Sequence, residues 1–183
     1  MGDPKKARKQ FSRPRSPWRA DQLAQELYTL GIFGLRNKRE LWKAQTNLSS
    51  IRKQARTLLA ATETVRLREE EKLLASLRRK GLVKEGAILD DILSLTVEDV
   101  LARRLQSMVF KKGLALSPLH ARQLITHGHV TIGPRRVTIP GYMVGSDEEP
   151  QVKAVGAGHA DQTSTDAVVQ QPTEAPAETV EAK

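Results

Sequence analysis

The chain has 183 residues, with 30 lysines and arginines against 21 acids, a formal charge of +9, and no cysteine. That length allows one domain or two small ones, and without cysteine there are no disulfides and no thiolate metal sites. No apolar run approaches the ~20 residues of a membrane span, and no apolar segment follows the basic first residues as a secretory signal requires. A soluble intracellular protein with a polyanionic partner is expected.

The charge is unevenly spread. From Gly156 onward one lysine faces five acids, a charge of −4, which leaves +13 on residues 1–155. The low-complexity acidic tail, 156–183, is expected to be disordered.

Residues 1–19 form a basic arm. Lys5, Lys6, Arg8, Lys9, Arg13, Arg15 and Arg19 are interleaved with Pro4, Pro14 and Pro17. Mutual repulsion and missing amide donors keep such a segment from folding alone. It is expected to be extended and to order on a polyanion, the alternative being a disordered tail or import signal. Phe11 and Trp18 offer ring faces among the charges.

Residues 20–95 read as a helical domain. The first helix, 20–30, places Leu23, Leu27 and Leu30 on one face and ends near Gly31 and Gly34. The strongest helix, about 37–60, carries Leu41, Ala44, Leu48, Ile51, Ala55 and Leu58 at steps of three and four, a single apolar seam. Asn37 and Glu40 have the spacing of a capping box. Arg36, Lys38 and Arg39 crowd the same end, where the helix dipole disfavours cations, and Lys43, Arg52, Lys53 and Arg56 extend the basic surface. That placement points to phosphate contact. A third helix, 63–80, begins with acids and ends with Arg78, Arg79 and Lys80 before Gly81, a pattern the dipole explains in large part, with RNA contact by the basic end as the equal alternative. Residues 82–95 read as a connection with a short helical turn.

Residues 96–155 read as a second unit. Thr96 and Asp99 open a helix whose buried face is Val97, Val100, Leu101, Leu105, Met108 and Val109, with Gly113 closing the next turn. Ser117 and Pro118 are N-cap and first residue of another helix, with Ala121, Leu124 and Ile125 inside and His120, Arg122, Gln123, Thr126 and His127 outside, before Gly128. The pattern then alternates in twos. Val130 to Ile132 and Val137 to Ile139 make a hairpin whose tip, Gly133-Pro134-Arg135-Arg136, presents two arginines, and Gln151–Val155 adds a third strand. The fold class is therefore mainly α with a small β-sheet. Arg103, Arg104, Lys111, Lys112, Arg122, Arg135 and Arg136 are expected to form one patch, suited to the shape and backbone of A-form RNA.

No catalytic constellation is visible. There is no GxxxxGK[ST] or GxGxxG loop, and His127 and His129 lack the acids or thiols of a metal site. Asp90-Asp91 reads as a solvated or capping pair. Trp42 reads as a base-stacking ring or a helix-boundary residue. No cofactor and no metal are expected.

HARQLITHGHVTIGPRRVTIPGYMV (His120–Val144) closely resembles the RNA-binding domain named after small-subunit ribosomal protein S-four. MGDPKKARKQF, LRNKRELWKAQTNLSSIRKQARTLLA and LDDILSLTVEDVLARRLQSMVFKKGLA precede it in the order of the archaeal and eukaryotic form of that ribosomal family. The resemblance covers about residues 1–155. It implies an α-L type module, two helices on a short hairpin sheet, after a helical rRNA-binding domain. It implies a cytoplasmic, non-enzymatic constituent of the small subunit that binds its rRNA first, helps start assembly and contributes to decoding accuracy. The neighbours implied are other small-subunit proteins, including ribosomal protein S-five, and mRNA where it enters; no membrane is involved. The alternative is a transient pre-rRNA processing or assembly factor of the same family. A zinc site of some bacterial members does not carry over, for want of cysteine. Arg122, Gln123 and His127 match the module's ARQL…HG motif. With Ser117, His120 and the basic residues of the arm, the long helix and the module, they are the expected RNA contacts.

Overall fold

The computed structural model describes residues 9–154. Lys5, Lys6, Arg8 and the acidic tail lie outside the described residues. Helices dominate: α1 Ala20–Ile32, α2 Lys38–Leu59, α3 Glu63–Arg79, α4 Leu89–Ser94, α5 Val97–Ala102, α6 Leu105–Lys111 and α7 Pro118–Thr126. Three short strands, β1 Val130–Ile132, β2 Arg135–Arg136 and β3 Val152–Ala154, form an antiparallel sheet in the order β2-β1-β3. Thr131 pairs with Arg136 on one side and with Lys153 on the other.

The seam of α2 is the spine of the first core. Leu41, Ala44, Leu48, Ile51 and Ala55 are buried, joined by Leu74, Leu77, Leu82, Leu89, Ile92, Leu95, Val100 and Leu101. Each fully buried leucine stabilises by about 1.5–3 kcal/mol relative to exposure. The second core holds Leu105, Met108, Val109, Ala121, Leu124, Ile125, Val130, Ile132, Val144 and Val152. The division falls between Leu101 and Leu105.

Several details differ from the sequence reading. The helix expected after Thr96 is two helices. The Thr96–Asp99 capping box is present, but the chain turns at Arg103-Arg104, so Val100 and Leu101 face the first core and Leu105 onward the second. The 82–95 connection supplies four core side chains, Leu82, Leu89, Ile92 and Leu95. On α1, Leu27 is 55% exposed and Glu26, its neighbour, is buried. The hairpin turns at Gly133-Pro134, so Arg135 and Arg136 form the returning strand, and 137–139 lie beyond it. The Asn37–Glu40 capping box is not formed: the Glu40 amide donates to the Asn37 carbonyl and the Glu40 carboxylate is held by Arg104 and Arg122.

Candidate nucleic-acid interface

The 3.6-residue period that buries the α2 seam puts Arg39, Lys43, Ser50, Lys53 and Thr57 on the opposite face. All five are exposed. Among the described residues, none of Arg39, Lys43, Lys53 and Arg56 forms an ion pair. Lys38 differs: its ammonium lies 3.1 Å from the carboxylate of buried Glu26. Arg52 also turns inward and donates to the Leu95 carbonyl at the end of α4.

The arm docks on α2. Phe11 stacks on Trp42, with ring centroids 6.0 Å apart and planes at 28°. The Lys9 ammonium sits 4.9 Å from the Phe11 centroid. The Ser12 amide donates to Thr46 Oγ1 at 3.0 Å. Trp42 is anchored in turn, its indole N–H donating to Glu26 Oε1 at 3.0 Å, so it serves a helix boundary and carries the arm at once. Arg13 and Arg15 stay exposed, and Arg13 shares a shallow depression with Ser49 and Lys53 of α2. Trp18 is 87% exposed.

The module's cations do not form one outward patch. Glu40, at the start of α2, receives Arg104 Nη2 at 2.8 Å and Arg122 Nη2 at 2.6 Å. Arg104 is 7% exposed. Burial pushes the Glu40 carboxyl up, but the hydrogen bonds from Arg122 and Arg104 and their charges outweigh it, and the group ionises below its ordinary range. Beside it, buried Gln106 donates to the carbonyls of Gly34 and Pro118, both at 2.9 Å. These contacts tie the two cores together. One carboxylate against two guanidiniums leaves the junction with one net positive charge.

Arg103 donates to the Lys80 carbonyl and pairs with Glu149 at 2.8 Å. Its guanidinium lies over Gly81, where a Cβ would fall 2.3 Å from Nη2. Arg136 folds back on the end of α7, donating to the carbonyls of Gly128 and His127. Lys112 donates to the Glu149 and Val152 carbonyls. Ser117 caps α7 by accepting from the His120 amide at 3.1 Å, and His120 Nδ1 accepts from the Leu116 amide. Lys111, Gln123, His127 and Arg135 are exposed, and the His127 ring lies 6.4 Å from that of His129. The sequence reading missed Glu40, Glu26 and Gln106 as organising residues. An acid at a helix start looks like a cap, and Arg104 lies 64 positions away.

The surface therefore joins an α2 stripe with its docked arm, a cationic junction, and the exposed edge of a two-helix, three-strand module. Residues 103–149 match the S4 domain, which defines a protein carrying an RNA-binding module of that class. Residues 5–102 match the ribosomal protein S4/S9 N-terminal domain, and the chain belongs to the ribosomal protein S4 family, in its archaeal form. It is similar to small ribosomal subunit protein uS4 of Ignicoccus hospitalis, 56% identical over 149 residues, covering 81% of this chain and 90% of that protein. Small ribosomal subunit protein uS4 of Hyperthermus butylicus is 52% identical over 152 residues, 83% of this chain and 86% of that protein. The protein of the same name from Cenarchaeum symbiosum is 53% identical over 156 residues, 85% and 76% of the two chains.

Proposed function

We propose that this chain is a structural, non-catalytic constituent of the cytoplasmic small ribosomal subunit that binds its rRNA directly and early, helping to nucleate assembly. Residues 1–19 act as an arm, 20–95 and 96–155 as two binding units, and 156–183 as an acidic tail. The observation that carries this reading is the α2 stripe of Arg39, Lys43 and Lys53, exposed and without acid partners among the described residues, next to Arg13 of the docked arm. A stripe of that kind fits regularly spaced phosphates. Lys111, Gln123, His127 and Arg135 extend the surface onto the module. Arg103, Arg104, Arg122 and Arg136 contribute field and shape while holding the protein together. The family reading adds ribosomal protein S-five and mRNA, where it enters the subunit, as neighbours, and with them an influence on decoding accuracy.

The test is binding of the purified chain to small-subunit rRNA across a salt series, with sedimentation of cell extract beside it. The expected result is a steep loss of affinity with salt and about one copy per mature subunit. A flat salt dependence refutes the electrostatic interface. Confinement to precursor particles refutes the structural constituent.

A further inference from the structure

One surface of this basic protein is poor in cations, with Lys38, paired to Glu26, and Lys111 at its margins. α1 and residues 88–102 together hold Asp21, Glu26, Asp90, Asp91, Glu98 and Asp99 and no lysine or arginine. Where α1 approaches α5, a cleft of about 360 Å³ opens between Ile32, Phe33, Ala102, Phe110 and Pro118, with Glu98 and Asp99 on its rim. Its walls are not covered: Ile32 is 47% exposed and Phe110 41%. A second cleft of similar volume lies on the other side of Glu98, against Gln25, Thr29 and Val97. No residue of the α2 basic stripe lines either cleft.

The Glu98 side chain makes no hydrogen bond or ion pair among the described residues. Asp99 lends one oxygen, Oδ2, to the Thr96 cap. Lys111 is the one cation at the cleft's edge. Phosphates are repelled by such a rim, and an RNA backbone buries little apolar surface. A polypeptide with an apolar side chain flanked by lysines or arginines satisfies both features: the side chain fills the cleft and the cations meet the rim.

We propose that the cleft between α1, α5 and α6 docks a short cationic segment of a neighbouring protein, seating an apolar side chain between Ile32 and Phe110 with its basic groups on Glu98 and Asp99. The inference rests on the chain residing in a ribonucleoprotein particle, since it needs a protein neighbour, but not on which residues touch rRNA.

The experiment places the photo-crosslinker p-benzoylphenylalanine at Phe110 and, separately, at Lys53, in small subunits assembled in cells. The expected result is a crosslink from position 110 to a lysine- or arginine-rich segment of another protein, lost when Glu98→Lys is added. Crosslinking from 110 to rRNA, to another copy of this chain, or to nothing overturns the proposal. So does a protein crosslink that Glu98→Lys leaves unchanged. If the probe at 110 blocks assembly, the same probe at Ile32 decides by the same outcomes. Position 53 reports separately: failure to reach rRNA there, with 110 crosslinked as expected, counts against the interface on α2 and not against the cleft.

Discussion

Replacing Glu40 with Gln is expected to destabilise the protein strongly, although it removes an acid from a basic molecule. Glu40 is the shared counter-charge of Arg104 and Arg122, at 2.8 and 2.6 Å. The side chains of Arg104, Arg122 and Glu40 are 9%, 21% and 21% exposed, so the two guanidiniums would face each other with little water. Removing one partner of a fully buried pair costs about 3–5 kcal/mol. The amide keeps one acceptor oxygen and the junction is partly wet, which brings the expectation to about 2–3 kcal/mol. With a urea slope of roughly 1–3 kcal/mol per molar, the unfolding midpoint should fall by about 0.7–3 M. A double-mutant cycle with Arg122→Met should return a coupling above about 1 kcal/mol. A midpoint shift under about 0.3 M in Glu40→Gln, or a coupling near zero, refutes the idea that this carboxylate joins the two cores.

The same group sets an acid limit. Because Glu40 ionises lower in the folded chain than in the unfolded one, its contribution is complete above the ordinary carboxylate range and is lost as pH falls through the lowered value. Melting curves of wild type and Glu40→Gln should therefore differ most near neutrality and converge at the acid end. Arg39, Lys43 and Lys53 changed together to Gln should leave the melting temperature nearly unchanged. Their log–log salt slope for RNA binding should drop by about 2–3, as three phosphate contacts disappear. Gly128→Ala should cost about 1–2 kcal/mol in thermal unfolding, because its φ is +76° and the new Cβ would fall 2.2 Å from Arg136 Nε. Ser117→Ala should cost about 1 kcal/mol by loss of the α7 cap, measured in urea.

What the sequence made legible follows from range. The α2 seam, the Thr96–Asp99 box, the Ser117-Pro118 start of α7 and the stop at Gly128 are each settled within four or five residues, and each is found where the pattern places it. The three-strand sheet was legible too, but its turn was misjudged because Arg135-Arg136 looks like a polar tip. The two arginines pair with Ile132 and Thr131, and Arg136 fills the space above a glycine. The site was less legible, since an arginine reads the same whether it meets phosphate or carboxylate. Arg122 and Arg136 are both among the RNA contacts the sequence suggests. Both make internal contacts, so separating binding from stability requires the α2 stripe instead. Leu27 and Glu26 exchange places because Trp42 and Lys38, sixteen and twelve positions on, offer Glu26 partners that no local pattern reveals.

The split between Leu101 and Leu105 bears on the order in which the chain matures. During synthesis, every side chain of the first core is available before the second has been made. Glu40 must then wait for Arg104 and Arg122, 64 and 82 positions later, so the early half carries that carboxylate without its two cations. Those arginines arrive with α6 and α7, and closing so long a loop makes their capture a late event. The junction is thus a checkpoint on completeness: the first-made half reaches full stability only when the last-made helix has folded against it.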